Sequence, residues 1–222
     1  MNDRRDFEPL ISGMETLEAV LEKSQDFIKL MTYYRCAMME IETKFKVLNA
    51  HYSLEHDRNP IQTVKTRLKS PISIEKKLKR LGSEMTVGEI EQTLHDVAGV
   101  RVICSFVEDV YTLAQALLAQ DDITLIEKKD YIKTPKPNGY RSLHLIISIP
   151  IFLAEEKREM QVEIQLRTIA MDVWASLEHQ MSYKKENVLS EDLSAELLGC
   201  AELAHALDER MNAIHQKLQK HE

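Results

Sequence analysis

The residues with most chemistry to offer sit on a stretch that alternates strictly, from Met160 to Arg167. Met160, Val162, Ile164 and Leu166 point one way, and Gln161, Glu163, Gln165 and Arg167 the other, which is the period of a half-buried strand. An acid between two glutamines, closed by an arginine, is either a solvated sheet face or a surface that handles a ligand. Three further stretches bear on that choice. Asp96 stands just ahead of an apolar run that carries Arg101. The loop Lys133-Thr-Pro-Lys-Pro-Asn-Gly-Tyr-Arg-Ser-Leu-His144 presents Lys136, Asn138, Tyr140, Arg141 and His144 together, stiffened by two prolines and a glycine. Between Arg58 and Arg80, eight lysines and arginines stand against a lone Glu75. An aromatic face beside an amide and cations suits a nucleobase and its phosphates. Each stretch also has a plainer use: a charged helix face, an Asp96–Arg101 salt bridge, a polar sheet surface.

The elements that position these residues follow from period and punctuation. Residues from about Glu8 to Tyr52 read as two helices of rough apolar spacing, and Asn59-Pro60 breaks the second. His56-Asp57 has the form of a metal-phosphohydrolase dipeptide, but the chain has no room for the large helical domain that motif needs. Ser70 caps a helix with Pro71 at its first position, ending at Gly82. Arg67 and Lys69 therefore lie just before a helix N-terminus, where backbone N–H groups already favour an anion. Thr86 and Glu89 form a capping box for a short helix. A strand follows Asp96, with Val100, Val102 and Cys104 on one face and Arg101 and Ile103 on the other. Then come a helix from Glu108 to Ala119, a strand from Ile123 to Ile132, a strand from Leu143 to Ile149, and a polar hairpin at Glu155–Glu159. Thr168 caps a helix that is apolar nearly all round and so expected to be buried on most sides, with Asp172, Glu178 and His179 needing partners. Beyond Ser190 the chain is one long amphipathic helix or two.

Composition narrows the class. At 222 residues and 44% hydrophobic, the chain builds one well-buried domain with helical additions. No apolar run approaches the roughly 18 residues of a membrane helix, and the N-terminal stretch lacks the apolar core of a signal peptide. Three scattered cysteines, Cys36, Cys104 and Cys200, suit reduced thiols in a cytoplasmic protein. A formal net charge of −7 argues against a stable nucleic-acid partner. A basic patch on an acidic chain points instead to a small polyanion.

With Asp96-Val-Ala-Gly-Val-Arg101, Lys136-Pro-Asn-Gly-Tyr-Arg-Ser-Leu-His144, Val162-Glu-Ile-Gln-Leu-Arg-Thr168 and Trp174-Ala-Ser-Leu-Glu-His179 in that order, the chain resembles the RelA/SpoT-type (p)ppGpp synthetases. The likeness runs from about Pro60 to Lys184. The length is similar to the stand-alone small alarmone synthetases, and the loop resembles the RelP branch more than the RelQ branch. The resemblance implies an α+β fold: a mixed β-sheet surrounded by helices, a nucleotidyltransferase-like synthetase domain with helical N- and C-terminal extensions. It divides the single domain into N-terminal helices (1–57), a catalytic core (58–185) and C-terminal helices (186–222).

The activity it implies is transfer of the β,γ-pyrophosphate of ATP to the 3′-hydroxyl of GDP or GTP, with AMP leaving. Asp96 and Glu163 match the family's acids, as ligands of Mg²⁺ and, for Glu163, as activator of the 3′-hydroxyl. Arg67, Lys69, Ser73, Lys77 and Arg101 resemble the ATP side. Tyr140 resembles the residue that stacks on guanine, with Lys136, Asn138, His144, Gln165, Arg167 and Ala175 around the acceptor. Glu178 and His179 resemble supporting positions. A homotetramer is also implied. A catalytically weak nucleotide sensor that has lost an acid, and a nucleotidyltransferase with another acceptor, are the alternatives. Both acids are present, and they lie on separate elements rather than together on one strand.

Overall fold

The computed structural model describes residues 8–56, 58–183 and 190–219, with side chains from residue 24 onward apart from those flanking the two gaps and the C-terminal end. Helix α1 (Glu8–His56) is followed by β1 (Ile61–Leu68), α2 (Pro71–Leu81), α3 (Val87–Thr93), β2 (Ala98–Cys104) and α4 (Val107–Leu118). Strands β3 (Thr124–Asp130), β4 (Leu143–Phe152) and β5 (Lys157–Thr168) come next, then α5 (Ile169–Tyr183) and α6 (Glu191–Gln219). The five strands form one mixed sheet in the order β1-β2-β5-β4-β3. Only β2 and β5 run parallel; the other pairs are antiparallel.

One face of the sheet is apolar and closed. Val100, Val102, Val162, Ile164, Leu166, Leu145 and Ile147 pack against Leu30, Tyr34, Ile41 and Phe45 of α1 and Val110, Leu113 and Leu117 of α4. Burying each of these large side chains contributes roughly 1.5–3 kcal/mol, and this face fixes which way the alternate residues point. A shift of one residue in β5 would carry Glu163 into the core.

The other face carries the chemistry in two rows set by the strand register. Arg67, Gly99, Glu163, Ile146 and Glu127 pair successively across all five strands, and Lys65, Arg101, Gln165, His144 and Lys129 form the next row. The register thus gathers residues from the basic run, both halves of the loop region and β5 onto one surface.

The helix ends follow their sequence signals. Ser70 Oγ accepts the Ser73 N–H, Pro71 opens α2, and Gly82 closes it at φ 75°. Thr86 accepts from the Glu89 N–H, but Glu89 accepts from Thr93 rather than returning a bond to Thr86, so only half of the expected capping box forms. Thr168 Oγ1 accepts the Met171 N–H at the head of α5.

Two further expectations need correction, and two elements add to the reading. The N-terminal segment is one continuous helix rather than two, its single proline, Pro9, lying in the first turn. Strand β1 was not expected from the basic run; it is a polar edge strand whose one fully buried residue is Ile61. Helix α5 is not enclosed. Met171, Trp174 and Ala175 are buried, while Ile169, Val173, Leu177 and Met181 form a stripe 46–55% exposed, with no third layer over it among the described residues. The C-terminal segment is one helix, and its Leu203, Leu207, Met211 and Ile214 are exposed, Leu203 to 72%. Asp57 of the His56-Asp57 pair and the boundary at residues 185 and 186 lie outside the described residues.

Candidate active site

Two clefts lie on the polar sheet face and meet at Glu163. The larger, about 710 Å³, is lined on one side by Lys65, Arg67, Lys69, Asp96 and Arg101, and on the other by Tyr140, Gln165, Arg167 and the α5 residues Ala175, Glu178 and His179. The smaller, about 210 Å³, is lined by Glu127, Lys129, Tyr131, Lys136, His144, Ile146 and Glu163. Glu163 stands on both walls because it lies in the middle strand of the sheet, with Gly99 beside it offering no side chain to cover it.

Asp96 is held at the large cleft's edge by lysines rather than by Arg101. Its Oδ2 accepts from Lys69 Nζ at 2.6 Å and pairs with Lys77 Nζ at 2.7 Å. Burial alone would raise its pKa, but the two lysines outweigh it and hold the carboxyl below its ordinary value. Its Oδ1 is buried with no partner among the described residues. A buried carboxylate oxygen without a donor is costly unless something binds it. Oxygen ligands from one or two carboxylates, with phosphates completing the shell, are how Mg²⁺ is usually held, so the donor set fits that ion. Among the described residues no cluster of three or more acids, histidines or cysteines offers a self-sufficient metal cage.

The cations of the large cleft are arranged by Asp172 from the first turn of α5. Its carboxylate meets Arg101 Nη1 at 3.4 Å, Arg167 Nη1 at 3.3 Å and Lys65 Nζ at 3.5 Å. Burial and the neighbouring Arg167 lower the Arg101 pKa, and burial lowers that of Lys69 despite its Asp96 partner. Packed cations of this kind, partly desolvated and crowded, are poised to receive an anion.

Around Glu163 the side chains close a ring. Gln165 Nε2 donates to Glu163 Oε2 at 3.0 Å, and Arg167 Nη2 donates to Gln165 Oε1 at 3.0 Å. Arg167 Nη2 also donates to Tyr140 Oη at 2.5 Å, Tyr140 Oη lies 2.8 Å from His144 Nε2, and His144 Nδ1 lies 3.2 Å from Glu163 Oε1. Burial would raise the Glu163 pKa, but the bond and charge of His144, with Gln165, hold it below the ordinary value. The carboxylate is therefore ionised at neutral pH.

The loop from Lys136 is folded on itself. Gly139 N–H donates to Lys136 O, Lys136 N–H to Tyr140 O, and Tyr140 N–H to Asn138 Oδ1. Gly139 sits at φ 87°, a conformation that side-chain-bearing residues rarely adopt. Lys136 Nζ lies 4.7 Å from the Tyr131 ring centroid and 4.8 Å from that of Tyr140.

Most of the residues singled out from sequence thus converge. Three stand differently. Asn138 lines neither cleft and instead bonds the Tyr140 backbone. Ser73 lies in the first turn of α2, its hydroxyl against Ser70. Arg141 turns away and donates to Ile132 O. Lys65, Asp172, Tyr131 and Lys129 line or order the clefts without having been singled out as site residues. Tyr131 falls near the end of the strand expected just before the Lys133 loop, and Lys65 and Lys129 become visible only through the strand register.

An α+β sheet with acids at a cation-rich double cleft defines a nucleotide-transferase class of domain. Its family is clear: the chain belongs to the RelA/SpoT family. The model of the "Region found in RelA / SpoT proteins" matches residues 66–188, more than half of the chain. GTP pyrophosphokinase YwaC of Bacillus subtilis is 45% identical over 208 residues, covering 94% of this chain and 98% of that protein. The crystal structure of small alarmone synthetase 2 from Bacillus subtilis superposes with a TM-score of 0.79 at 44% identity, over 86% of this chain and 99% of the other. Small alarmone synthetase 1 of the same organism, bound to its product pppGpp, gives 0.80 at 36% identity over 87% and 98%. That synthetase has also been seen with AMPCPP, with a TM-score of 0.75 at 33% identity over 88% and 99%.

Proposed function

We propose that this protein is a GTP pyrophosphokinase that transfers the β,γ-pyrophosphate of ATP to the 3′-hydroxyl of GDP or GTP, making ppGpp or pppGpp and AMP. The observation that carries this is the position of Glu163 on the shared wall of two clefts, one rich in cations and one aromatic. Relatives that are named as this enzyme, and related structures holding pppGpp or the ATP analogue AMPCPP, support the same substrates.

In this scheme ATP lies in the large cleft, its phosphates against Arg67, Lys69, Arg101 and Lys77, with Ser73 at the head of α2. The acceptor spans the two clefts: its base lies on Tyr140, with Gln165, Arg167 and Ala175 shaping that wall of the large cleft, its phosphates reach Lys136 and His144 of the small cleft, and Asn138 holds the Tyr140 loop. The 3′-oxygen forms a bond to the β-phosphorus, the bond from that phosphorus to the α,β-bridging oxygen breaks, and AMP leaves with the oxygen. Glu163 accepts the 3′-hydroxyl proton and passes it to solvent. Asp96 Oδ1 and Glu163 would hold Mg²⁺, which supplies charge neutralisation on the phosphates. Transfer of this type asks the protein mainly for positioning and charge stabilisation. Glu178 and His179 line the α5 side of the cleft in support.

We take residues 1–222 as one synthetase domain, working in the cytoplasm as a homotetramer. The free thiols Cys36, Cys104 and Cys200 support the compartment, and the bare stripes of α5 and α6 support assembly. Incubation with ATP, GDP and Mg²⁺, followed by anion-exchange chromatography, tests the activity. AMP together with a guanosine tetraphosphate supports it; no turnover, or pyrophosphate release, overturns it.

A further inference from the structure

The acceptor loop does not stand on the sheet alone. A Cβ added at Gly139 would lie 2.5 Å from Ala201 Cβ and 3.1 Å from Leu198 Cδ1, both on α6. Ala201 is buried and forms a small cluster with Trp174 and Ala175 of α5, against which Tyr140 and Ala204 pack. Trp174 Nε1 donates to Leu197 O at 2.9 Å, fixing the height of α6 over that cluster. The backbone of the Gly139 turn thus rests on the α6 surface at Ala201, where the helix offers a methyl group and no more. Tyr140 is the next residue, and its ring projects from this seat toward His144 and Arg167.

We propose that α6 is part of the acceptor site, with Ala201 a positioning residue that seats the Gly139 turn and thereby sets the Tyr140 ring for the acceptor base. This rests on the pyrophosphokinase reading for the identity of the acceptor. A γ-carbon at position 201 directed at the turn crowds the Gly139 backbone, which cannot move without carrying Tyr140 with it, since interiors of this density transmit displacement.

Ala201→Val and Ala206→Gly separate seating from stability. Both cost helix stability, glycine by about 1 kcal/mol relative to alanine, so a purely structural role would give both variants lower thermal midpoints and unchanged KM values. Seating predicts that Ala201→Val raises the GDP KM by about tenfold, within the range of a lost base stack, with the ATP KM unchanged. Ala206→Gly, on the exposed face of α6 away from the seat, keeps both KM values. Trp174 is the chain's sole tryptophan and touches the same cluster, so its emission, titrated with GDP in the absence of ATP, reads acceptor binding without turnover. The Ala201→Val titration should shift to higher GDP by the same factor. Leu198→Ala opens the other side of the seat and should raise the GDP midpoint in the same direction, which keeps the test available if Ala201→Val folds poorly. Wild-type GDP binding without tetraphosphate synthesis would refute the activity and leave the seat standing. Equal GDP midpoints in wild type, Ala201→Val and Leu198→Ala would refute the seat, and a wild type that binds no GDP would refute both.

Discussion

The Arg167 guanidinium donates to Tyr140 Oη at 2.5 Å and lies 5.0 Å from the centre of the same ring. One cation therefore fixes both the hydroxyl and the plane of the aromatic residue. Because Arg167 also reaches Gln165 and Asp172, the ring of Tyr140 is tied to the acid on β5 and to the cations of the large cleft. The aromatic site and the acid are held in one hydrogen-bonded circuit rather than on two independent supports.

Tyr140→Ala should remove base stacking worth roughly 1–3 kcal/mol, raising the acceptor KM while the ATP KM stays nearly unchanged. Tyr140→Phe keeps the ring but leaves Arg167 and His144 without their shared hydroxyl, so its acceptor KM should rise less and its kcat should fall. Steady-state kinetics with each substrate varied in turn checks this. Equal weakening of both substrates in Tyr140→Ala would remove Tyr140 from the base site.

Asp96→Asn should abolish most synthesis and flatten its Mg²⁺ dependence. The folded pKa of Asp96 is lowered, so its ionised form stabilises the fold above the ordinary carboxylate value of 3.8, and that stability is lost as pH falls through the lowered folded value. The variant should therefore melt below wild type at pH 7, the gap closing in acid. A normal rate and a normal Mg²⁺ titration would exclude Asp96 from the site.

The parts of this arrangement that sequence made legible are those governed by local period. Strand β5 and its handover to α5 were readable because strict alternation ends at Thr168, a residue that can cap. The polar face of β5 was readable for the same reason. Strand β1 was not, because an edge strand with one fully buried residue has no apolar alternation to detect, and so Lys65 and Arg67 were not seen to share a face with Glu163. The exposed stripe of α5 misled in the opposite sense: an apolar helix implies a cover, but not that the cover lies within the same chain. The bond from Arg167 to Tyr140 spans 27 positions, and no local pattern reports it.

Asp208 on α6 accepts from Thr168 Oγ1 at 2.6 Å in a buried position. Burial raises its pKa, and the Thr168 bond only partly opposes this. A carboxyl with a raised folded pKa favours the fold below its unfolded value, near 3.8, and loses that contribution as pH rises through the folded value. Asp208→Asn keeps the acceptor for Thr168 and removes the buried charge. Its thermal midpoint at pH 7 should exceed wild type by a few degrees, the difference vanishing near pH 4. A lower midpoint at pH 7 would show that the charge is satisfied by groups other than Thr168.

The bare stripe Ile169, Val173, Leu177 and Met181 lies beside the bare residues Leu203 and Leu207 of α6, and Val173, Leu177 and Leu207 line a common groove. Contiguous apolar surface of this kind marks an interaction site. Val173→Glu combined with Leu177→Glu should lower the mass measured by light scattering from that of the proposed homotetramer toward one chain, with the helix signal intact because both residues are half-exposed. An unchanged mass would exclude this face from the assembly.

Glu163→Gln is the most decisive substitution. The apolar face of β5 is untouched by it, and glutamine reproduces the shape and still accepts from Gln165. What is lost is the charge. Glu163 is ionised at neutral pH, with a folded pKa below the ordinary 4.5, so it is available to accept the 3′-hydroxyl hydrogen bond and to touch a cation. A low pKa also makes it a modest proton acceptor, which places its general-base share toward the lower end of the usual range of about 10²–10⁴. Loss of a metal contact multiplies that deficit, and tetraphosphate should be nearly undetectable. The lowered pKa also means that the charge stabilises the fold above the carboxylate range and ceases to do so as pH falls through it. The variant should therefore melt slightly below wild type at pH 7 and level with it in acid. Measuring kcat and the thermal midpoint on one sample separates the two roles. A rate within about tenfold of wild type, beside a clear drop in midpoint, would make Glu163 a structural acid and send the search for the base elsewhere on the cleft wall.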